Sequence, residues 1–190
     1  MSEEIVALVD RAGSVVGTAA RSVVRRENLL HAATAVLVRN SGRQIYVHRR
    51  ADHKDWAPGF YDCAAGGVIQ EGEDPVASAV RELEEELGIT GTTLRPLGTS
   101  LYEDDETRCF EHCFEATWDG PVVHADDEVV WGAWMSLADL DGWLRDPRRR
   151  FVPDTRQLLS RLAADWVLDY GALGGRSDRQ PLRRNREQQG

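Results

Sequence analysis

The segment PVASAVRELEEEL, residues 75–87, reads as a helix, and the rest of the chain must accommodate it. Asp74 supplies a capping carboxylate, Pro75 suits a first helical position, and Gly88 suits the terminating left-handed one. At about 100° per residue, Glu82, Glu85 and Glu86 share an arc of roughly 100°, while Glu84 points almost the opposite way. Val76, Ala79, Val80, Leu83 and Leu87 form the adjoining apolar arc. Such a helix buries Leu83 and Leu87 against a sheet and carries three carboxylates along the border of that contact. Unpaired charge is expensive beside a low-dielectric wall. A solvated acidic face would interleave basic residues, and Arg81 is the one base within the helix. Clustered carboxylate oxygens are also the ligands that hard divalent cations prefer. Helix geometry alone leaves both readings open.

The sheet is to be sought on either side. Residues 4–17 read as two short strands around a DRAG turn. HAATAVLVRN is a β-branched run ending at an NSG turn, and RQIYVHRR returns as its hairpin partner. ADHKDWAPGFYDCAAGG is too rich in Pro, Gly and Asp for regular structure and reads as a loop closing on a short strand. LRPLGTSLYE, RCFEHCFEATW and EVVWGAWMSL are strand-like. SLADLDGWL opens on a Ser cap, and PDTRQLLSRLAADWVLDY has the spacing of a final amphipathic helix. Strands around one acidic helix, with a further helix at the end, indicate an α+β layered fold. One domain over residues 1–170 is expected, followed by an Arg-rich, disordered tail over 171–190.

Composition narrows the function. The formal net charge of −9 argues against a general nucleic-acid or anionic-membrane surface. No run approaches the ~18 apolar residues of a membrane span. Cys63, Cys109 and Cys113 form an odd set, and MSEEIVALVDRAG lacks the apolar stretch of a signal peptide, so a cytoplasmic protein is expected.

Taken with the residues before it, the helix carries a longer pattern. Gly67, five residues, Glu73, seven residues, then Arg81-Glu82-Leu83, Glu85-Glu86 and Gly88-Ile89 match every position of the Nudix hydrolase signature. Seven fixed positions at roughly 7% background each give a chance match of about 10⁻⁸ per starting point. The flanking strands resemble the family's α/β/α sandwich, with a mixed central sheet, an added N-terminal hairpin and a C-terminal helix. The resemblance implies Mg²⁺, with Mn²⁺ as the alternative, held against a diphosphate while water attacks phosphorus. It assigns Glu82, Glu85 and Glu86 as ligands, with the Gly66 or Gly67 carbonyl as a further one. Arg81 orients the carboxylates, Glu73 supports the helix start, and Gly88 belongs to the motif. Glu128 lies where some members carry a base, with Glu111 and Asp127 as competitors. Arg49, Arg50 and Lys54 are candidates for phosphate contact, and Trp56, Phe60 and Tyr61 for pocket lining. The implied partner is a small-molecule diphosphate, and a homodimer is compatible with the family.

VDRAGSVVGTAARSVVRRENLLHAATAVLV and VHRRADHKDWAPGFYDCAAGG also resemble the branch related to isopentenyl-diphosphate isomerase. His31 and Glu111 match positions of the isomerases. Their reactive cysteine falls at Gly66, however, and two of their histidines fall at Val24 and Val68. Cys63 lies three residues early. With the signature intact, hydrolysis is the expected chemistry, ahead of a non-catalytic diphosphate sensor and of an isomerase. Cys109 and Cys113 point to one strand face and His112 to the other, as core cysteines rather than a zinc site. Trp131 and Trp134 read as sheet packing.

Overall fold

A computed structural model describes residues 3–124 and 127–173 of the chain. The elements run β1 (Ile5–Val9), β2 (Val15–Ala20), α1 (Arg21–Glu27), β3 (His31–Arg39), β4 (Ile45–Arg50), β5 (Tyr61–Asp62), β6 (Ala64–Ala65), α2 (Pro75–Leu87), β7 (Leu94–Glu103), β8 (Arg108–Thr117), β9 (Val129–Met135), α3 (Leu137–Arg145) and α4 (Pro153–Ala164), with a 3₁₀ turn at Tyr170–Ala172. The class is α+β, with helices on both sides of a curled, mixed sheet.

β3 organises it. All nine of its residues are buried, and it runs parallel to β8 from His31↔Cys109 to Arg39↔Thr117. Buried on both faces, its side chains alternate between two cores. Val36 and Val38 join Ala79, Leu83 and Leu87 of α2, while Ala35 and Leu37 join Leu140 of α3 and Leu158, Leu159 and Leu162 of α4. Of the apolar arc read from the sequence of α2, Ala79, Leu83 and Leu87 are buried, while Val76 and Val80 are exposed. Asp74 accepts from the N–H groups of Val76 and Ala77, and Gly88 ends the helix at φ +64°.

Three local readings change. RSVVRRE, to which the sequence reading assigns no element, forms α1, a single short helix whose Ala20 N-cap offers no side-chain bond. β4 touches β3 through the single pair Arg39↔Ile45 and instead builds a ladder with β9. Sequence adjacency suggested a hairpin, but β3 is already paired to β8 along one edge and, through Ala64 and Ala65, along the other. The last helix stops at Ala164 rather than continuing to Tyr170, because Trp166 and Leu168 adopt positive φ. Left-handed backbone costs a non-glycine residue about 1–2 kcal/mol. The turn brings Asp169 to Arg39 at 2.9 Å and the Tyr170 hydroxyl to Glu115 at 2.8 Å, and buries Tyr170 and Leu173. Leu173, assigned to the tail by sequence, therefore joins the core; residues 174–190 lie outside the described residues. No described helix is long and apolar enough to cross a membrane.

Candidate active site

The loop from Gly66 to Asp74 is stitched to the N-terminal hairpin and to β3. Thr34 N–H donates to the Gly67 carbonyl at 2.9 Å, Ile69 N–H to Ala32 at 2.9 Å, and Ala7 N–H to Ile69 at 3.0 Å. Gly66 has no room for a side chain, since a Cβ there would lie 2.0 Å from the Thr34 carbonyl oxygen. At Gly67 the obstacle is functional, because a Cβ would sit 2.5 Å from Glu82 Oε1. The missing side chain lets a carboxylate of α2 lie against the loop backbone.

Arg81 braces this arrangement. Its Nη1 donates to Glu82 at 2.6 Å and Glu85 at 3.1 Å, while Nε and Nη2 engage the two Glu73 oxygens at 3.0 and 3.1 Å. A planar guanidinium can hold three carboxylates in this way because its donors fan out in fixed directions. Glu73 also accepts from Gln70 N–H at 3.0 Å. Burial opposes Glu73's charge, but the bonds from Arg81 and Gln70 outweigh it and lower its pKa.

The three helical carboxylates are not equivalent. Glu82 and Glu86 are buried, whereas the Glu85 side chain is 54% exposed and swung toward Arg81. Glu86 Oε2 accepts a long 3.3 Å bond from Gly66 N–H. Burial, followed by the neighbouring charge of Glu82, pushes Glu86 up to about 8. Burial also raises Glu82, with Arg81 pulling against it. A divalent cation suits this edge, because it offers carboxylate oxygens beside a glycine backbone and a buried carboxyl whose charge lacks compensation. The Gly67 carbonyl is committed to Thr34 and keeps one further lone pair.

Glu128 reaches the same cleft. Together with Glu4, Arg21, Lys54 and Gln70 it lines the space over Glu82, Glu85 and Glu86. Lys54 forms an ion pair with Glu128, and Ala51 N–H donates to the Glu128 carbonyl at 2.7 Å. The 51–60 loop is thus tied across the cleft. Asp127 is exposed and faces His53 at 3.8 Å, outside that lining.

Behind the cleft a deeper pocket is lined by Arg21, Arg25, Arg50, Lys54, Trp56, Asp62, Glu111 and Asp154 among others. Of the candidates for phosphate contact, Arg50 and Lys54 line this pocket, and Lys54 lines the cleft as well. Arg49 does not: it donates to Asp52 at 2.7 Å and to the Gly59 carbonyl at 3.2 Å, bracing the loop away from both spaces. Trp56 lines the deep pocket. Phe60 lies under Arg150 at 4.4 Å, and Tyr61 packs among Trp131, Trp143 and Phe151. Trp134 packs edge-on against Tyr46. His31 is buried with Nδ1 3.0 Å from the Leu29 carbonyl, and burial lowers it to about 4, so the ring is neutral. The three cysteines are buried and free of disulfides.

The sequence reading did not single out Glu4, Arg21, Arg25, Thr34, Asp62 or Asp154. Arg21 and Arg25 carry a usable signal, an i, i+4 pair of bases. The others reach the site only through long-range pairing.

Residues 29–159 match the NUDIX domain family. An uncharacterised Nudix hydrolase of Rhodococcus erythropolis is 43% identical over 169 residues, covering 84% of this chain and 91% of that protein. YfcD of Escherichia coli K12, likewise an uncharacterised Nudix hydrolase, is 34% identical over 159 residues, covering 84% of this chain and 86% of its own length. Among solved structures, DR0079 of Deinococcus radiodurans superposes with a TM-score of 0.71 at 25% identity, covering 83% of this chain and 98% of that one. A MutT protein of Methanosarcina mazei superposes at 0.62 with 21% identity, covering 73% and 96%, and shares the fold.

Proposed function

Because the chain belongs to the Nudix hydrolase family, we propose that it hydrolyses a diphosphate linkage in a nucleoside diphosphate derivative or related small molecule, using a divalent cation held on α2. The observation that carries this reading is that Glu82, Glu85 and Glu86 line one cleft with Gly66 and Gly67, where Arg81 bonds Glu82 and Glu85 and Gly66 N–H donates to Glu86. When bound, Mg²⁺ or Mn²⁺ supplies charge neutralisation at phosphate oxygens and makes water a nucleophile accessible at neutral pH. The rest falls to the chain. Glu82, Glu85 and Glu86 are the ligands, with the Gly67 carbonyl as an additional oxygen. Arg81 keeps the carboxylates aimed, and Glu73 keeps Arg81 aimed. Glu128 accepts the proton of the attacking water. Arg50 and Lys54 receive phosphate charge.

Steric closure at Gly66 favours hydrolysis over isomerisation. The position matching the isomerases' reactive cysteine cannot carry a side chain without displacing Thr34. The test is turnover in ¹⁸O-labelled water with a panel of nucleoside diphosphate derivatives, dinucleotides, thiamine diphosphate and prenyl diphosphates. The label is expected in a phosphate or phosphomonoester product, with Mg²⁺ required. Product that forms equally well in EDTA, or label appearing on carbon, would contradict the proposal.

A further inference from the structure

Three consecutive residues of the loop joining β4 to β5 go to three different places. Lys54 lines both the carboxylate cleft and the deep pocket, and Trp56 lines the pocket. Asp55, between them, lines neither. One of its carboxylate oxygens lies 3.7 Å from Arg21 and 3.4 Å from Arg25, both on α1. Those two bases are one helical turn apart and repel each other, so a carboxylate between them suits α1 as well as the loop. Burial opposes the Asp55 charge, but Arg25, Arg21 and Lys54 outweigh it and lower its pKa.

Little besides charge holds the loop in place. Of residues 51–60, only Ala51 and Ala57 are buried. The N–H groups of Lys54 and Gly59 donate to the Ala51 carbonyl at 3.4 and 3.2 Å, and Phe60 N–H donates to Ala57 at 3.3 Å, so these bonds close on the loop itself. Its middle is fastened by Asp55 to α1, by Lys54 to Glu128, and by Arg50, which donates to the Trp56 carbonyl at 3.2 Å. The closed position also carries two costs. Ala57 has φ +45°, a left-handed backbone unfavourable for a residue with a Cβ. The Trp56 indole N–H is buried without a partner among the described residues. A segment with few buried apolar groups, local strain and half-exposed ion pairs belongs to the part of a fold that opens first.

We infer that loop 51–60 is a lid latched to α1 by Asp55, and that Asp55 is a positioning residue that sets Lys54 and Trp56 at the two spaces. Its anchors Arg21 and Arg25 precede residues 29–159, the stretch that matches the family, so the latch joins the N-terminal segment to the cleft. The latch stands on geometry; its effect on turnover rests on the hydrolase reading. Releasing it lowers the closed fraction of the free protein, and apparent affinity falls by the same fraction. Substrate bound at Lys54 closes the lid in either protein, so KM moves and kcat does not.

The test is hydrogen exchange on the full chain, beside steady-state kinetics in Mg²⁺ with the best substrate of the panel. In Asp55→Asn, exchange across residues 51–60 is expected to quicken at least about threefold, with α2 and β3 unchanged. KM is expected to rise about 3–10-fold with kcat within about twofold, and Asp55→Glu to restore both. The difference from wild type should shrink in roughly 0.5 M NaCl, which screens the latch. Arg25→Gln removes the same pair from the other side and should quicken exchange likewise, which serves if Asp55→Asn does not fold. Unchanged exchange across 51–60 in a folded variant would overturn the inference and leave the hydrolase reading intact. So would a fall in kcat at constant KM, or a difference that high salt leaves whole. Faster exchange in Asp55→Asn, with no turnover of the panel by wild type, would sustain the latch and remove the reaction.

Discussion

Adjacent glycines of the loop, Gly66 and Gly67, separate folding from function at the scale of single residues. At Gly66 the obstacle to a side chain is backbone, whereas at Gly67 it is the mobile end of Glu82. Gly67→Ala is therefore expected to fold, with a stability change within about 1 kcal/mol. By moving the Glu82 carboxylate it should lower Mg²⁺-supported kcat/KM about 10–100-fold, because small misplacements at a reacting centre are costly. Steady-state kinetics beside a thermal melt checks this, and a folded variant with wild-type activity would count against the placement of Glu82. Gly67 and the bracing roles of Arg81 and Glu73 were legible in the sequence, since they lie within one 23-residue pattern that Gly66 directly precedes. The burial difference between Glu86 and Glu85 was not. Helical angles place both on the working edge, and only packing against Gly66 decides which carboxyl loses water.

Elements close this fold by ion pairing as well as by apolar contact. The chain after α4 is held to the sheet by Asp169, whose two oxygens accept from Arg39 at 2.9 Å and from Arg43 at 3.0–3.1 Å. The Arg39 side chain is 7% exposed, so removing the Asp169 charge leaves a buried guanidinium with only the more distant Glu115 carboxylate, at 3.9 Å, to balance it. Asp169→Asn is expected to cost about 2–3 kcal/mol. Bonding from Arg39 holds the Asp169 carboxyl at about 2, below its ordinary 3.8. A depressed carboxyl adds stability that is fully present above its unfolded value and lost as pH falls through the folded one. The wild-type advantage over Asp169→Asn in urea titrations should therefore be constant above pH ~5 and shrink from pH ~4 toward 2. An advantage that persists at pH 2 would show that the carboxylate's charge is not what holds the turn. The helix that carries the signature was readable to its ends because its caps are side chains in sequence, Asp74 and Gly88. α1 was not, being one short helix without a capping side chain, and the end of α4 depends on a contact with Arg39 more than a hundred residues away.

The whole molecule places two chemically different spaces back to back, and the curled sheet makes this possible. β3 and β8 run parallel, so Thr34 and Glu111 lie near the same end of the sheet, under the loop that carries the signature. α4 then brings Asp154 down beside Glu111, and the N-terminal hairpin pins Gln70 and Glu71 over α2. The α+β class, the layered arrangement and the carboxylate edge could be read from patterns of a few to twenty residues. The deep pocket could not, since its walls come from α1, β3, β8 and α4 and no local spacing encodes their meeting. We propose that Glu82, Glu85 and Glu86 hold the cation on which hydrolysis depends. Glu86→Gln tests it most directly, measured as Mg²⁺-dependent turnover of the best substrate in the panel together with the rise in melting temperature on adding Mg²⁺. A fall in kcat/KM of about 10³-fold or more is expected, with the fold retained and the Mg²⁺-induced stabilisation of the wild type lost. A folded Glu86→Gln protein that keeps wild-type turnover and still gains stability from Mg²⁺ would contradict it.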